Sequence, residues 1–181
     1  MIIKDLWQCP EKYDVIYADP PWSYSNKGLN GSAEKHYSTM NIKDIGELPV
    51  ESISKDNCVL FMWMTYPLIK EGLWLMEKWG FKYKTIGFQW IKLNRINKKP
   101  FFGLGNWTRG NSEPCFIGVK GKMARNCAGV HQVIMSEIEK HSKKPDEARH
   151  RIEQLVSPDC RKIELFARQE SNGWDCWGNE I

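Results

Sequence analysis

The stretch that most constrains this chain is residues 13–22, YDVIYADPPW, an apolar run halted by two prolines. Val15-Ile16-Tyr17-Ala18 is β-branched or aromatic in most positions and of strand length, which predicts a buried strand. Pro20 and Pro21 each lack a backbone N–H, so sheet pairing cannot continue through them. Pro20 also holds Asp19 in an extended backbone conformation. A carboxylate therefore stands at the carboxyl end of a core strand, followed by a stiff turn that carries a large aromatic ring. In open α/β sheets, ligands bind at that edge.

The remaining segments fall into place around it. Residues 2–6 read as a short edge segment, and Asn41 caps a short helix ending near Ile45. NCVLFMWM (57–64) is a nearly continuous apolar run, hence a strand buried on both faces. Residues 67–79 carry apolar side chains at helical spacing and stop at Gly80. Strands are predicted over 81–93, 113–119, 132–135 and 161–167, with Pro114 placing the second at a strand start or a sheet edge. Between the last two lies a helix within 142–156, with Pro145 in its first turn and Asp146 and Glu147 at its positive end. Alternating strands and helices predict an α/β fold: a mostly parallel central sheet with helices on both faces. The chain has 181 residues and no internal repeat, so one domain is expected over residues 1–181. No GxGxxG loop is present, which argues against a standard dinucleotide fingerprint.

Composition narrows the setting. No apolar stretch approaches the ~18–20 residues of a membrane span, and the amino-terminal segment lacks a signal-peptide core, so a cytoplasmic protein is expected. The six cysteines form no CxxC pair and are expected to pack as reduced, small apolar residues. The four histidines and the cysteines match no standard zinc spacing, so no structural metal is expected. The net charge of +4 is uneven: Lys82, Lys84, Lys92, Arg95, Lys98, Lys99 and Arg109 fall within residues 82–111, which hold no Asp or Glu. That run is either a solvated lysine-rich loop or a phosphate-facing surface. Nine tryptophans are many for this length, and some are expected to be stacking platforms.

Asp19-Pro20-Pro21-Trp22 admits two readings. It is either a strand-ending turn with Trp22 packed over it, or a rigid pair of acceptors. In the second, the Asp19 carboxylate and an outward Pro20 carbonyl hold both N–H bonds of an exocyclic amino group on adenine or cytosine. Trp22 or Tyr24 then stacks on the base. Such an amine is a poor nucleophile because its lone pair is delocalised into the ring. Two fixed acceptors favour the tetrahedral nitrogen, and the carboxylate stabilises the positive charge that grows as it attacks. Hydrogen bonds to charged groups contribute roughly 1.5–3 kcal/mol, about one to two decades of rate.

Asp19-Pro20-Pro21-Trp22 resembles the signature of the MT-A70 family of S-adenosylmethionine-dependent N6-adenine methyltransferases. Further matching pieces run in order through His36-Tyr37-Ser38-Thr39-Met40, Leu60-Phe61-Met62-Trp63, Gly105-Asn106-Trp107 to Glu113, and Lys144-Pro145-Asp146-Glu147. Lys162-Ile163-Glu164-Leu165-Phe166-Ala167-Arg168 and Trp177-Gly178-Asn179-Glu180 complete them. The resemblance implies a Rossmann-like methyltransferase fold in permuted order, with the catalytic strand ahead of the cofactor strand. It places Asp5, Leu6, Asp19, Lys144, Glu164, Leu165, Phe166, Arg168, Asn179 and Glu180 at the cofactor. Glu170 and Glu180 stand where some members have His and Gln. For the acceptor base it implies Glu113, Ser142 and Lys144, with Tyr37 in the matched His36–Met40 piece, beside Trp22 and Tyr24 from the stacking reading. Without the family context, Lys144 reads as solvated and Glu113 as pairing with Arg109 or Arg125.

A base in a duplex hides its amino group, so the target must be flipped or single-stranded. Residues 23–36 and 94–111 flank the expected site, the second offering Lys98, Lys99 and Arg109 to phosphates and Phe101, Phe102 and Trp107 to bases. The chain shows no separate recognition domain, so selectivity comes from these loops or from a second copy in a homodimer, or is weak. DNA adenine is the expected substrate, with RNA adenine next. Cytosine N4 methylation and a non-catalytic nucleic-acid-binding partner subunit are the rivals.

Overall fold

The computed structural model describes residues 1–23, 40–105, 107–139 and 143–181. Strand β1 (Tyr13–Ala18) is buried along nearly its whole length. A short helix α1 (Ile42–Gly46) follows, and the Asn41 side chain accepts the Lys43 N–H at its start. One turn, α2 (Val50–Ile53), leads into β2 (Ser54–Trp63). Helix α3 (Ile69–Lys78) ends at Gly80, whose φ of 82° is the left-handed conformation that glycine accepts without cost. Then come β3 (Lys82–Leu93), β4 (Ser112–Lys120), β5 (Val133–Glu137), helix α4 (Glu147–Leu155), β6 (Lys162–Leu165) and β7 (Asp175–Trp177).

The strands form one sheet in the order β5-β3-β4-β2-β1-β6-β7. Pairings β1–β2, β1–β6, β3–β5 and β6–β7 are parallel, while β4 runs against both neighbours. The sheet is thus mixed, with one reversed strand in a mostly parallel array. Alternation along β1 sends Ile16 and Ala18 into a core shared with Leu75 and Met76 of α3 and Ile45 of α1. Val15 and Tyr17 point the other way, against Ala148 and Ile152 of α4. Helices accordingly cover both faces. The catalytic-strand candidate β1 and the cofactor-strand candidate β6 are neighbours despite lying at opposite ends of the sequence, as a permuted methyltransferase-like order requires.

One expectation resolves and two change. Pro114 lies near a strand start, and β4 is interior, not an edge. The Pro114 carbonyl accepts the Met64 N–H, and the N–H it lacks would face the same side, so the missing bond falls just past the end of β2 and pairing with β3 is untouched. Residues 2–6 contribute only a single parallel bridge, Ile2 to Cys176, before a 3-10 turn at Leu6–Gln8. Helix α4 begins at Glu147, so Pro145 precedes it, its carbonyl taking the Ala148 N–H. The six cysteines are free, and Cys58 and Cys115 are packed in the two cores.

Candidate active site

The parallel strands β1, β2, β3, β5, β6 and β7 all end at one edge of the sheet, and the reversed β4 begins there. Period-two alternation then decides which side chains meet. Continuing β1 from Tyr17 puts Asp19 on the α4 face. Trp63 of β2, Glu113 and Cys115 of β4, and Glu164 of β6 lie on that face too, since Cys115 pairs with Trp63 and Glu164 with Tyr17. Lys144, just ahead of α4, closes the group.

Lys144 is the hub. Its Nζ lies 2.9 Å from the Asp19 carboxylate and 3.4 Å from Glu113 Oε2, and 5.8 Å from the centre of the Trp63 ring. Glu113 is held from its other side by Lys92 at 2.5 Å. The pairing with Arg109 or Arg125 does not form; Lys92 and Lys144 take its place. The Trp63 ring is fixed by its indole N–H, which donates to the Tyr17 hydroxyl at 2.6 Å. Burial pushes the Asp19 carboxyl above its ordinary value and Glu113 adds to the rise, while Lys144 and Arg168 pull it down. Burial also opposes the charged form of Glu113, but Lys144 and Lys92 outweigh it and hold that carboxyl below the usual range.

The prolines build a tight turn rather than an open pair of acceptors. The Pro20 carbonyl accepts the Trp22 N–H at 2.8 Å, leaving one lone pair for a ligand, and the Pro21 carbonyl accepts the Met40 N–H. Trp22 is 5% exposed and donates its indole N–H to the Trp63 carbonyl at 3.3 Å. The ring therefore braces the turn from beneath, which corrects its expected role as a stacking face. Tyr24, Tyr37 and Ser142 lie outside the described residues, as do residues 24–39.

On the neighbouring strand β6, both Glu164 oxygens accept from Nη1 of Arg149 on α4, at 3.1 and 3.0 Å, and the Arg149 Nη2 meets Asp146. Burial pushes the Glu164 carboxyl up to about 7, with Arg149 pulling it down and Asp19 and Asp146 adding to the rise. Leu165 is a core side chain. Phe166 follows with a left-handed φ of 61° and meets Trp177 edge-on at 5.3 Å. A Cβ on Gly178 would stand 2.2 Å from the Ala167 carbonyl, so the chain passes tightly beside the β6 end there. Arg168 Nε is 3.7 Å from Glu180, and Asn179 beside it is exposed. At the amino terminus, Ile2 bridges Cys176 in parallel, which carries the following residues towards the same edge. There Asp5 accepts the Trp7 N–H, while the Leu6 side chain is buried in the core.

The basic loop is folded back on itself over residues 92–101, with Asn94 N–H donating to Lys99 and Phe101 N–H to Lys92. Lys98 is paired with Glu137, so its charge is already shared, whereas Lys99 is exposed. Arg109 lies 4.9 Å over the Phe102 ring. Ile96, Phe102, Leu104 and Trp107 are 92%, 76%, 72% and 100% exposed, a dense apolar display beside the cations. Sequence reasoning overlooked Lys92, Trp63, Tyr17 and Arg149. Trp63 stood in the matching Leu60–Trp63 piece and Lys92 in the basic run without a site role, while Arg149 carried a signal of its own because it shares the apolar stripe of α4 with Ile152 and Val156 at helical spacing.

Comparison with known proteins gives the family model described as MT-A70 a match over residues 13–180. The type II methyltransferase M.MunI of Mycoplasma sp is 37% identical, over 94% of this chain and 78% of its own length. The human N(6)-adenosine-methyltransferase catalytic subunit METTL3 is 32% identical, with 94% of this chain covering 28% of that protein. The Arabidopsis thaliana N(6)-adenosine-methyltransferase MT-A70-like is also 32% identical, and this chain spans 24% of it.

Proposed function

This chain belongs to the MT-A70 family, and from that premise we propose that it transfers a methyl group from S-adenosylmethionine to the N6 amine of adenine in DNA. The observation that carries the reading is the Asp19–Lys144–Glu113 group at the carboxyl edge, one strand away from Glu164. DNA is favoured because the type II methyltransferase is the more similar relative, at 37% identity against 32% for the human adenosine methyltransferase. RNA adenine is the second reading, supported by the names of the adenosine methyltransferases.

The donor set suits the cofactor. Asp19 offers a carboxylate to its α-ammonium, Glu164 an acceptor to its ribose hydroxyls, and Lys144 a cation to its carboxylate. Asp5, Leu6, Leu165, Phe166, Arg168, Asn179 and Glu180 complete that side in this reading. Bound there, the cofactor supplies an electrophilic methyl group on a sulfonium. The protein's part is to prepare the amine. Asp19 accepts one amino N–H, and the remaining lone pair of Pro20 accepts the other. Lys144 covers the Asp19 carboxylate before the base arrives, so it must give way, and Glu113 at 3.4 Å is the partner it turns to. As positive charge grows on the nitrogen, the freed Asp19 charge stabilises it. Because burial raises the Asp19 pKa, it is a better proton acceptor than a solvated aspartate.

Lys98, Lys99 and Arg109 supply phosphate contacts, and Trp107 and Phe102 supply stacking surface. Tyr37 and Ser142 stay assigned to the base on the resemblance alone, and Tyr24 on the stacking argument. The partner in this reading is nucleic acid, with a second copy of the chain as one source of selectivity. A cytoplasmic setting, in a bacterium or phage-infected cell, goes with six free cysteines. Among the described residues no helix is long and apolar enough to cross a membrane.

The test is to incubate the protein with labelled S-adenosylmethionine and unmethylated DNA or RNA, digest, and identify the methylated nucleoside. N6-methyladenine from DNA is expected. Label on cytosine would overturn the base, and transfer to RNA alone would overturn the polymer. Neither transfer nor cofactor binding would leave a nucleic-acid-binding partner subunit. Asp19→Ala should lower transfer at least ~10–100-fold, the worth of one charged hydrogen bond, with the fold retained; an active variant would refute the acceptor model.

A further inference from the structure

Arg149 is the buried cation of this molecule, 9% exposed, and shares that distinction among polar residues with Ser54 alone among the described residues. It projects from the apolar stripe of α4, beside Ala148 and Ile152, where a hydrophobic side chain is the ordinary occupant. Stability does not account for it. Taking an ion pair out of water costs about as much as the pair returns, and hydrophobic replacements of similar volume are often as stable or more so. Its contacts are specific: one nitrogen serves both Glu164 oxygens, and the other serves Asp146, two residues from Lys144.

We propose that Arg149 is a positioning residue that keeps Glu164 an ionised acceptor for the cofactor's ribose and ties it to the segment carrying Lys144. The proposal rests on the cofactor reading above. Without the guanidinium, Glu164 would face Asp19 of the β1 end and Asp146 ahead of α4, both negative. Tyr17 of β1 and Cys176 of β7 also face it. Burial holds the tyrosine well above its ordinary pKa and raises that of the thiol, so both are neutral and neither balances charge. A lone carboxylate there takes up a proton, becomes a donor at one oxygen, and loses acceptor capacity towards a hydroxyl pair.

The sign of the pH effect follows. Glu164 already titrates near 7 with Arg149 in place, so its ionised fraction, and with it cofactor affinity, rises between pH 6 and pH 8. Calorimetric titration with S-adenosylhomocysteine at pH 6, 7, 8 and 9 reads this directly. Wild-type affinity should rise about tenfold from pH 6 to pH 8, the span of a single ionisation. Arg149→Met should bind at least about tenfold more weakly at pH 7 and recover as pH approaches 9. Arg149→Lys, which keeps the charge, should keep a profile close to wild type. Glu164→Gln should flatten the profile, and adding Arg149→Met to it should cost nothing more.

A loss in Arg149→Met that is equal at every pH would overturn the proposal, as would a Glu164→Gln protein with the wild-type slope. If Arg149→Met does not fold, the Glu164→Gln slope and the Arg149→Lys profile decide. Wild-type protein that binds no cofactor at any pH overturns the cofactor reading and this proposal with it; binding with an unshifted profile overturns the proposal alone.

Discussion

Replacing Lys144 with Met tests the site's electrostatics at its centre. The substitution keeps a long, flexible side chain but removes the cation shared by Asp19 and Glu113, which lie 2.9 and 3.4 Å from it. The Lys144 side chain is 11% exposed, against 20% for Asp19 and 19% for Glu113, so solvent screens these contacts little. Breaking a buried pair by removing one partner costs ~3–5 kcal/mol. The low end applies here, because Glu113 keeps Lys92 and Asp19 keeps some access to water. About 3 kcal/mol corresponds to a fall in Tm of about 6–12 °C for a domain of this size.

The pH dependence identifies the cause. Asp19 is already raised, so its native state holds a proton more tightly than the unfolded state, and that contribution weakens the fold as pH rises above the unfolded value of 3.8. Without Lys144 the rise is larger. Glu113 has the opposite sign: its depressed pKa contributes stability above its unfolded value of 4.5, which is lost as pH falls through the folded value, and removing Lys144 forfeits part of it. Both effects make the variant's penalty full at pH 7 and small near pH 4. Urea unfolding of both proteins at pH 7, 5.5 and 4.5 measures it. An equal penalty at every pH would show that lost packing, not charge, sets the cost.

Two further substitutions check other parts of the site. Trp22→Phe removes the indole donor and orphans the Trp63 carbonyl, so stability should fall by about 1–3 kcal/mol with the nucleic-acid KM unchanged. A raised KM at unaltered stability would restore the ring as a stacking face. In the basic loop, Lys99→Ala should reduce the slope of log binding constant against log salt by about one, and Lys98→Ala by less, because Lys98 is already paired with Glu137. Equal slopes for the two would reject that ranking, and no change in either would return the loop to the solvated reading.

What was legible in the sequence was what local chemistry decides. Two prolines end β1 wherever it packs, Asn41 caps α1 with its own side chain, and Gly80 stops α3 by its own backbone freedom. The rest depends on partners distant in the chain. Strand β7 is three residues without a periodicity, defined by β6 on one side and the Ile2 bridge on the other. The Trp22 ring turns inward because the Trp63 carbonyl accepts its N–H, and no spacing announces that. Glu113 and Lys144 were both named from the family resemblance, but their contact was not, nor was Lys92 as a partner, since Lys92 comes from β3 and Lys144 from beyond β5.

The charges at this edge sort by how replaceable their partners are. Glu113 keeps Lys92 and Glu164 keeps Arg149 whether or not Lys144 moves, so these two pairs can stay fixed while ligands enter. Asp19 and Glu113 share Lys144, which makes that lysine the exchangeable one. A neutral amine can take its place on Asp19 only if the displaced ammonium finds another carboxylate, because an unpaired cation here would meet the full cost of burial. Glu113 removes that cost. On the proposed reading its place at the start of the reversed strand therefore matters to the reaction as well as to the fold. A parallel β4 would have carried Glu113 to the opposite edge of the sheet, away from Lys144.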